Sequence, residues 1–187
     1  MTEVRAGMLL VASPALRDPN FVDTVVLLID VDESGVLGVV LNRPSPVPVA
    51  DVLDPWARSV ATPDVLFQGG PVSPEAALAV AQLADPADVP VGFRAVDGSD
   101  RLGLLDLDTP PELVEGSLQG LRIFAGYAGW GAGQLDGEIG EGDWYVVEAE
   151  STDVFRGEVA DLWRDVLRRQ PGDLAWHSTR PADPDLN

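Results

Sequence analysis

The run Thr24-Val-Val-Leu-Leu-Ile is continuously apolar and shows no alternation with polar residues. A strand with one wet face alternates with period two, whereas a strand buried on both faces reads as an unbroken apolar run. The chain is therefore predicted to build around a strand covered on both sides, with helices packed on the sheet. Met8 to Val11 and Val36 to Asn42 are further short β-branched and leucine-rich runs. They are set off by turn chemistry at Ser13-Pro14, at Asp18-Pro19-Asn20 and at Asp32-Glu33-Ser34-Gly35. Thr24 to Asp30 and Val36 to Asn42 then read as a hairpin, which makes the sheet mixed.

Further strands are predicted at Val65 to Gln68, at Leu121 to Tyr127 and at Trp144 to Ala149. Gly92 to Val96 and Arg101 to Leu105 form a hairpin about Asp97-Gly98-Ser99-Asp100. Ser73 reads as the cap of a helix running to about Leu83, with Pro74 at its first position and Glu75 in its first turn. Short helices are expected near Asp51 to Arg58, after Thr109-Pro110, and from Gln134 to Ile139. Glu158 to Arg169 is the clearest helix. Val159, Leu162, Trp163, Val166 and Leu167 fall on one stripe, and Asp165 is spaced to pair with Arg168 and Arg169. With strands and helices interspersed over 187 residues, residues 1–172 read as one domain, and the proline-rich polar stretch 173–187 as a mobile tail.

Composition narrows the chemistry. There is no cysteine, one histidine (His177), and all 12 basic residues are arginine. Disulfides, thiolate metal sites, thiol nucleophiles, a P-loop lysine and Schiff-base chemistry are all excluded. His177 stands beside Trp176 near the C-terminus with no Gly-x-Ser-x-Gly elbow before it, so a Ser-His-Asp triad has no support and the histidine reads as an exposed tail residue. Asp136, Glu138, Glu141 and Asp143 are the nearest thing to a carboxylate cluster, but their spacing matches no EF-hand loop; neither metal nor cofactor is expected. The net charge of -19 repels nucleic-acid phosphates and anionic lipid. Arg5 and the stretch Ala6 to Ala12 are too short for a signal peptide, and no later apolar run nears the roughly 20 residues that span a bilayer. The expectation is a cytoplasmic protein, neither exported nor membrane-spanning.

Two segments share the design of a buried strand, then glycines, then a predicted helix start. One is Val65-Leu-Phe-Gln-Gly-Gly-Pro-Val-Ser-Pro-Glu and the other Leu121-Arg-Ile-Phe-Ala-Gly-Tyr-Ala-Gly-Trp-Gly-Ala-Gly-Gln. Glycine permits positive φ and close approach, and free N–H groups at a helix start attract anions, so Gly69, Gly70, Tyr127 and Trp130 are candidates for a ligand pocket. The same glycines also suit tight crossovers between packed elements, and neither segment matches G-x-G-x-x-G. Asn42 and Arg43 follow a strand end, where open α/β sheets hold ligands. Arg43 can clamp a carboxylate or phosphate, or serve as a surface arginine before a proline turn. Gln68 and Gln134 can orient a polar ligand or satisfy backbone groups.

Four motifs in order carry a resemblance: Leu9-Leu-Val-Ala-Ser-Pro-Ala-Leu-Arg-Asp-Pro-Asn-Phe, Gly38-Val-Val-Leu-Asn-Arg-Pro, Phe67-Gln-Gly-Gly-Pro-Val, and Gly126-Tyr-Ala-Gly-Trp-Gly-Ala-Gly-Gln-Leu. From about Met8 to Arg169 the chain resembles the YqgE/AlgH family of small bacterial proteins. The resemblance implies a single compact α+β domain with a mixed, bifurcated, partly barrel-like sheet surrounded by helices. It implies no catalytic residues. The family's label of transcriptional regulator rests on a genetic association with alginate production in some members.

The leading expectation is a non-enzymatic regulatory or binding module that meets a protein or small ligand across the glycine-rich crossovers, any transcriptional effect being indirect. The alternative is an enzyme or nucleotide binder that holds a small anion at the strand-Gly-Gly-helix crossover, with Arg43 completing the site. Direct DNA binding has only Arg164, Arg168 and Arg169 to offer as a basic cluster, and is not expected.

Overall fold

In the computed structural model, which describes residues 3–179, the apolar run becomes β2 (Val25–Asp32). Val25, Leu27 and Ile29 belong to one hydrophobic core and Val26 and Leu28 to another, so both faces of the strand are indeed covered. β1 (Leu9–Ala12) and β3 (Gly35–Val40) flank it, both antiparallel, and β10 (Trp144–Val147) closes that edge beyond β1. The hairpin of β2 and β3 forms as read from the sequence.

β3 continues onto β9 (Leu118–Gly131), the longest strand at 14 residues. The C-terminal part of β9, Ala128 to Gly131, pairs with β3. Its N-terminal part pairs on one edge with β6 (Val72–Leu83) and on the other, in parallel, with β5 (Val65–Gln68), which carries the short β4 (Pro44–Pro48). β8 (Leu102–Leu105) and β7 (Phe93–Ala95) extend the far side as the hairpin expected there. The sheet order is β10-β1-β2-β3-β9-β6-β8-β7, with β4 and β5 branching off at β9. The protein is α+β, its sheet curled into a half barrel and forked along β9.

The fork exists because backbones touch there. A Cβ on Gly70 would lie 2.2 Å from the carbonyl carbon of Tyr127, one on Gly69 2.3 Å from the oxygen of Gly126, and one on Gly126 2.6 Å from the oxygen of Gly70. Only glycine leaves room for two chains at that spacing. The amide of Gly69 donates to Ala125 O at 2.9 Å, and Gly69 O accepts from Val40 N at 2.8 Å, which hands β9 from β5 over to β3.

Residues 73 to 83 do not form the expected helix. They lie in β6, and Ser73 has φ 46 instead of a cap geometry. Ala-Ala-Leu-Ala-Val-Ala-Gln-Leu favours helix locally, but here it is a central strand with Ala79, Ala81 and Leu83 buried, and Val80 buried in the main core. Long-range pairing to β8 and β9 outweighs a local propensity of a few tenths of a kcal/mol per residue. Pro74 is tolerated because the register breaks between Val72 and Ala77, where no ladder donor is required.

α1 (Val49–Val52) and a 3-10 turn at Asp54–Trp56 fill the predicted short helix, and Trp56 seals a third core under β6 and β9. α2 (Gln134–Gly140) covers the second core through Leu135 and Ile139. After α3 (Ser151–Phe155), α4 (Leu162–Arg168) lays Leu162, Trp163, Val166 and Leu167 on the main core, and Trp163 Nε1 donates to Ala12 O at 2.8 Å. Arg168 pairs with Asp165 as expected, at 3.1 Å, but Arg169 turns to Asp153 and Glu150. Asp153 is buried and fixes α3 through a capping box, so its carboxylate gains more from the guanidinium fork than the half-exposed Asp165 would.

The stretch from residue 173, expected to be mobile, lies as far as it is described in a 3-10 helix (Gly172–Thr179) whose His177 ring stacks on Tyr145 with centroids 5.8 Å apart. Arg164 donates to Ser178 O at 2.9 Å and holds that segment on α4. The rest of the tail lies outside the described residues.

Arg122, on β9, is 1% exposed and, among the described residues, makes no ion pair. Its guanidinium donates to the carbonyls of Thr62 at 2.7 Å, Val154 at 2.9 Å and Arg156 at 3.0 Å, and lies 4.2 Å from the centre of the Phe67 ring. Burial lowers its pKa to about 10, which leaves it charged at neutral pH. It ties the β4 to β5 connection and the end of α3 to the middle of the sheet.

The fork makes a sharp demand on Gly70. Gly70→Ala should lose more than about 3 kcal/mol, the upper end of ordinary overpacking, because the clash is with the main chain of Tyr127 and Ala128, which cannot swing aside as a side chain can. Urea denaturation followed by far-UV circular dichroism measures it, and a midpoint equal to that of the parent protein would contradict the account.

Candidate functional site

Seven of the 19 glycines fall between residues 126 and 142, where β9 leaves the fork, runs out beside β3 and turns into α2. Three of the seven have a structural reason. Gly126 sits in the fork, and Gly133 and Gly142 hold φ of 76 and 85, in the region that side chains avoid. The other four have none. A Cβ on Gly129 would meet nothing nearer than 3.9 Å and one on Gly131 nothing nearer than 4.0 Å, while Gly137 and Gly140 open onto empty space. Neither backbone conformation nor packing requires glycine at these positions. Gly137, inside a seven-residue helix, costs about 0.5–1 kcal/mol relative to alanine.

This bare backbone borders two hollows at the tip of the β2 and β3 hairpin. One, about 510 Å³, lies between the hairpin tip, the N-terminal segment, the end of β9 and α2. Its walls are Val4, Val31, Val36, Leu135 and Ile139; Glu3, Asp32 and Asp136 stand among the lining residues, and no basic side chain does. The other, about 410 Å³, opens on the opposite face and is lined by Leu37, Val72, Tyr127 and Gly129, with Asp30 and Asp32 beside them. The turn between the hollows is held by Asp32, whose Oδ1 accepts from Ser34 N at 2.7 Å, from Ser34 Oγ at 2.5 Å and from Gly35 N at 3.2 Å. Those donors, the Ser34 hydroxyl first, hold its carboxyl pKa below the ordinary 3.8. β6 accompanies β9 only as far as Tyr127, so from Ala128 to Gly131 β9 has β3 on one edge and, among the described residues, no strand on the other. There the side chain of Gln134 caps the edge, its Oε1 accepting from Gly131 N at 3.1 Å.

The structure divides the residues singled out from the sequence into two groups, Asn42, Arg43, Gln68, Gly69 and Gly70 about the fork and Tyr127, Trp130 and Gln134 toward the tip. Arg43 donates to the carbonyls of Asn20 at 2.6 Å, Pro19 at 3.0 Å and Val22 at 3.1 Å. Asn42 donates to Asp23 O at 2.9 Å and accepts from Val25 N at 3.1 Å. Together they lace the Asp18 to Asp23 loop onto the end of the hairpin, and burial lowers the Arg43 pKa against the pull of Asp18 and Asp23. The loop that Arg43 holds carries Phe21, which in turn stacks on Trp130. Gln68 is exposed at the end of β5, its amide bonded to Arg43 O at 2.8 Å. Gly69 and Gly70 are consumed by the fork, and no helix start follows them, which removes the anion cradle expected there.

Tyr127, Trp130 and Gln134 do converge on the glycine-rich tip. Trp130 is almost fully buried and stacks on Phe21, with centroids 5.9 Å apart. Its Nε1 and that of Trp144 both donate to Glu138 Oε2 at 2.9 Å, while Gln134 Nε2 donates to Glu138 Oε1 at 3.1 Å. Glu138 is thus the clamp of an aromatic cluster. Among the described residues no group of three acidic or imidazole side chains is placed to hold a metal, and no helix is long and apolar enough to cross a membrane. Sequence reasoning missed the first hollow, although Leu135 and Ile139, four apart in a helix that after Gln134 is otherwise made of glycine and acid, were its visible trace.

Fold and site define a class by shape: a forked, curled sheet with helices on its faces and a glycine-rich tip. The AlgH-like family model matches residues 9–175. A UPF0301 protein of Streptomyces coelicolor is 57% identical over 100% of this chain and 98% of its own length, and one of Mycobacterium tuberculosis 49% identical over 96% and 89%. The crystal structure of a Corynebacterium diphtheriae protein, 36% identical, superposes with a TM-score of 0.89 over 96% of this chain and 94% of that one. The solution structure of the AlgH protein of Pseudomonas aeruginosa, 23% identical, shares the fold with a TM-score of 0.69 over 98% and 100%. The chain belongs to the AlgH-like family.

Two measurements test this description of the tip. Gly137→Ala should raise stability by about 0.5–1 kcal/mol, read as an upward shift of the thermal midpoint, since a methyl group there meets no neighbour. The Asp32 carboxyl, followed by NMR, should titrate below 3.8. Because the folded value is the depressed one, its contribution to the hairpin tip is present above pH 3.8 and is lost as pH falls through the folded value.

Proposed function

We propose that this protein is a non-enzymatic binding module of regulatory type, which acts by contact with a partner across its glycine-rich tip. The observation that carries the reading is the set of glycines at 129, 131, 137 and 140, which the fold does not need and which keep the surface around two hollows bare. Glycine in a helix or strand is a cost, and close approach of another molecule is a physical reason to bear it. The side chains suited to chemistry are engaged in the architecture: Arg43 in a loop, Glu138 on two indoles, and the lone imidazole of His177 on Tyr145.

Contact with nucleic acid is disfavoured by the net charge of -19 and because Arg164, Arg168 and Arg169 are each bonded within the protein. Any effect on transcription is therefore indirect. A chain without cysteine suits the reducing cytoplasm, where this reading places it.

The test is site-specific photo-crosslinking in the native host, with a photoreactive residue at exposed Ala132 on the tip or at exposed Arg58 on the opposite region of the fold. A discrete adduct is expected from position 132 and none from 58. Gly131→Val should reduce its yield severalfold while leaving the thermal midpoint in place. Equal adducts from both positions, or an undiminished yield in Gly131→Val, would sink the proposal.

A further inference from the structure

We infer that the 510 Å³ cleft beneath α2 receives a cationic segment of a partner protein, with an aliphatic side chain in the cleft and a lysine or arginine on either side of it. The inference rests on the binding-module reading and names the chemistry of its partner.

Three features point the same way. The walls are aliphatic throughout, from Val4 and Val31 on one side to Leu135 and Ile139 on the other, with no aromatic face and no hydroxyl donor among them. Such a surface rewards burial of a branched aliphatic group and gives a sugar or a nucleotide base no aromatic face to stack on. The charged groups at the cleft are Glu3, Asp32 and Asp136, all carboxylates and all exposed. They repel an anion and attract a cation, and the protein's overall charge extends that attraction beyond contact distance. Asp32 keeps its charge well into acid because the Ser34 hydroxyl and the Ser34 and Gly35 amides bind its ionised form.

The third feature is the floor. Gly131 and Gly133 present main chain without side chains, so a partner backbone can lie close along the cleft instead of inserting only a tip. An extended segment uses that length, and a small enclosed metabolite does not. A second copy of this chain fits poorly. It carries the same charge of -19, and among the described residues the arginines of α4 and its flanks are paired within the fold. The occupant is therefore a positively charged partner with an apolar residue at the centre of its docking segment.

The probe is a short acetylated, amidated peptide, Arg-Lys-Leu-Leu-Lys-Arg, titrated into the full-length protein and followed by amide NMR. Two control peptides replace the bases with glutamate or the leucines with serine. The expected result is a saturable shift of the amides of Val4, Val31, Val36, Gly131, Gly133 and Ile139. The shift should weaken with added salt and be absent with either control. The double variant Glu3→Lys, Asp136→Lys should bind roughly tenfold more weakly or worse, since both rim charges are reversed. Gly131→Val should obstruct the cleft, with an unchanged spectrum elsewhere confirming that it folds. Equal shifts with the serine peptide mean diffuse attraction to an acidic surface and overturn the inference, as do shifts outside the cleft or none at millimolar peptide. If the peptide fails while crosslinking at position 132 persists, the partner chemistry is wrong and the binding-module reading stands. Failure of both removes both.

Discussion

Two stretches of backbone pass one another at a distance that admits no side chain, Gly69-Gly70 on one and Gly126 to Ala128 on the other. The rest of the architecture hangs on that contact. It lets β9 exchange one neighbour for another midway along its length, so that β5 and β3 both use the same edge. A sheet that forks in this way cannot stay flat. Its two halves turn toward each other, and Val80, Phe67 and Phe124 from one half meet Leu9, Leu27 and Val39 from the other in a common core that α4 closes. Arg122 is buried beside this junction. Three carbonyls and an aromatic face compensate its charge, and in return it joins chain segments distant in sequence.

The same motif holds glycines of two physical kinds. Gly126 and Gly133 are imposed by contact or by φ, whereas Gly129 and Gly131 occupy ordinary strand geometry with open space above them. A glycine-rich signature is commonly read whole, either as a tight turn or as a ligand cradle. Here it divides near Tyr127 into a part that builds the fork and a part that leaves the tip uncovered. The polar residues around it follow the same division. Asn42 and Arg43 serve the loop that precedes β2, while Gln134 and Glu138 brace the tip from beneath.

An acidic surface around an aliphatic cleft is a consistent design for selecting partners by charge first and shape second. On the proposed reading, long-range repulsion disfavours nucleic acid and anionic lipid, and the cleft then selects among cations by what they bury. None of this requires a reacting side chain. That agrees with a composition free of cysteine and lysine, and with a histidine occupied by a tyrosine ring.

By itself the sequence determined the net charge and the elements whose signal is local: the doubly covered β2, its hairpin with β3, the second hairpin about Gly98, and the apolar stripe of α4. The ordered motifs also carried the family and, with it, the forked sheet. Tertiary structure alone decided what depends on residues far apart in the chain. The alanine-rich stretch after Ser73 became a strand because β8 and β9 lie on either side of it, a gain that no local window contains. Arg169 chose Asp153 over Asp165, and Arg43 bonds three loop carbonyls, because burial rewards the partner that completes a hydrogen-bonded set. Which glycines were needed, and which were free, became visible only once the neighbouring backbone was in place, since the space a missing Cβ would fill is a property of the fold.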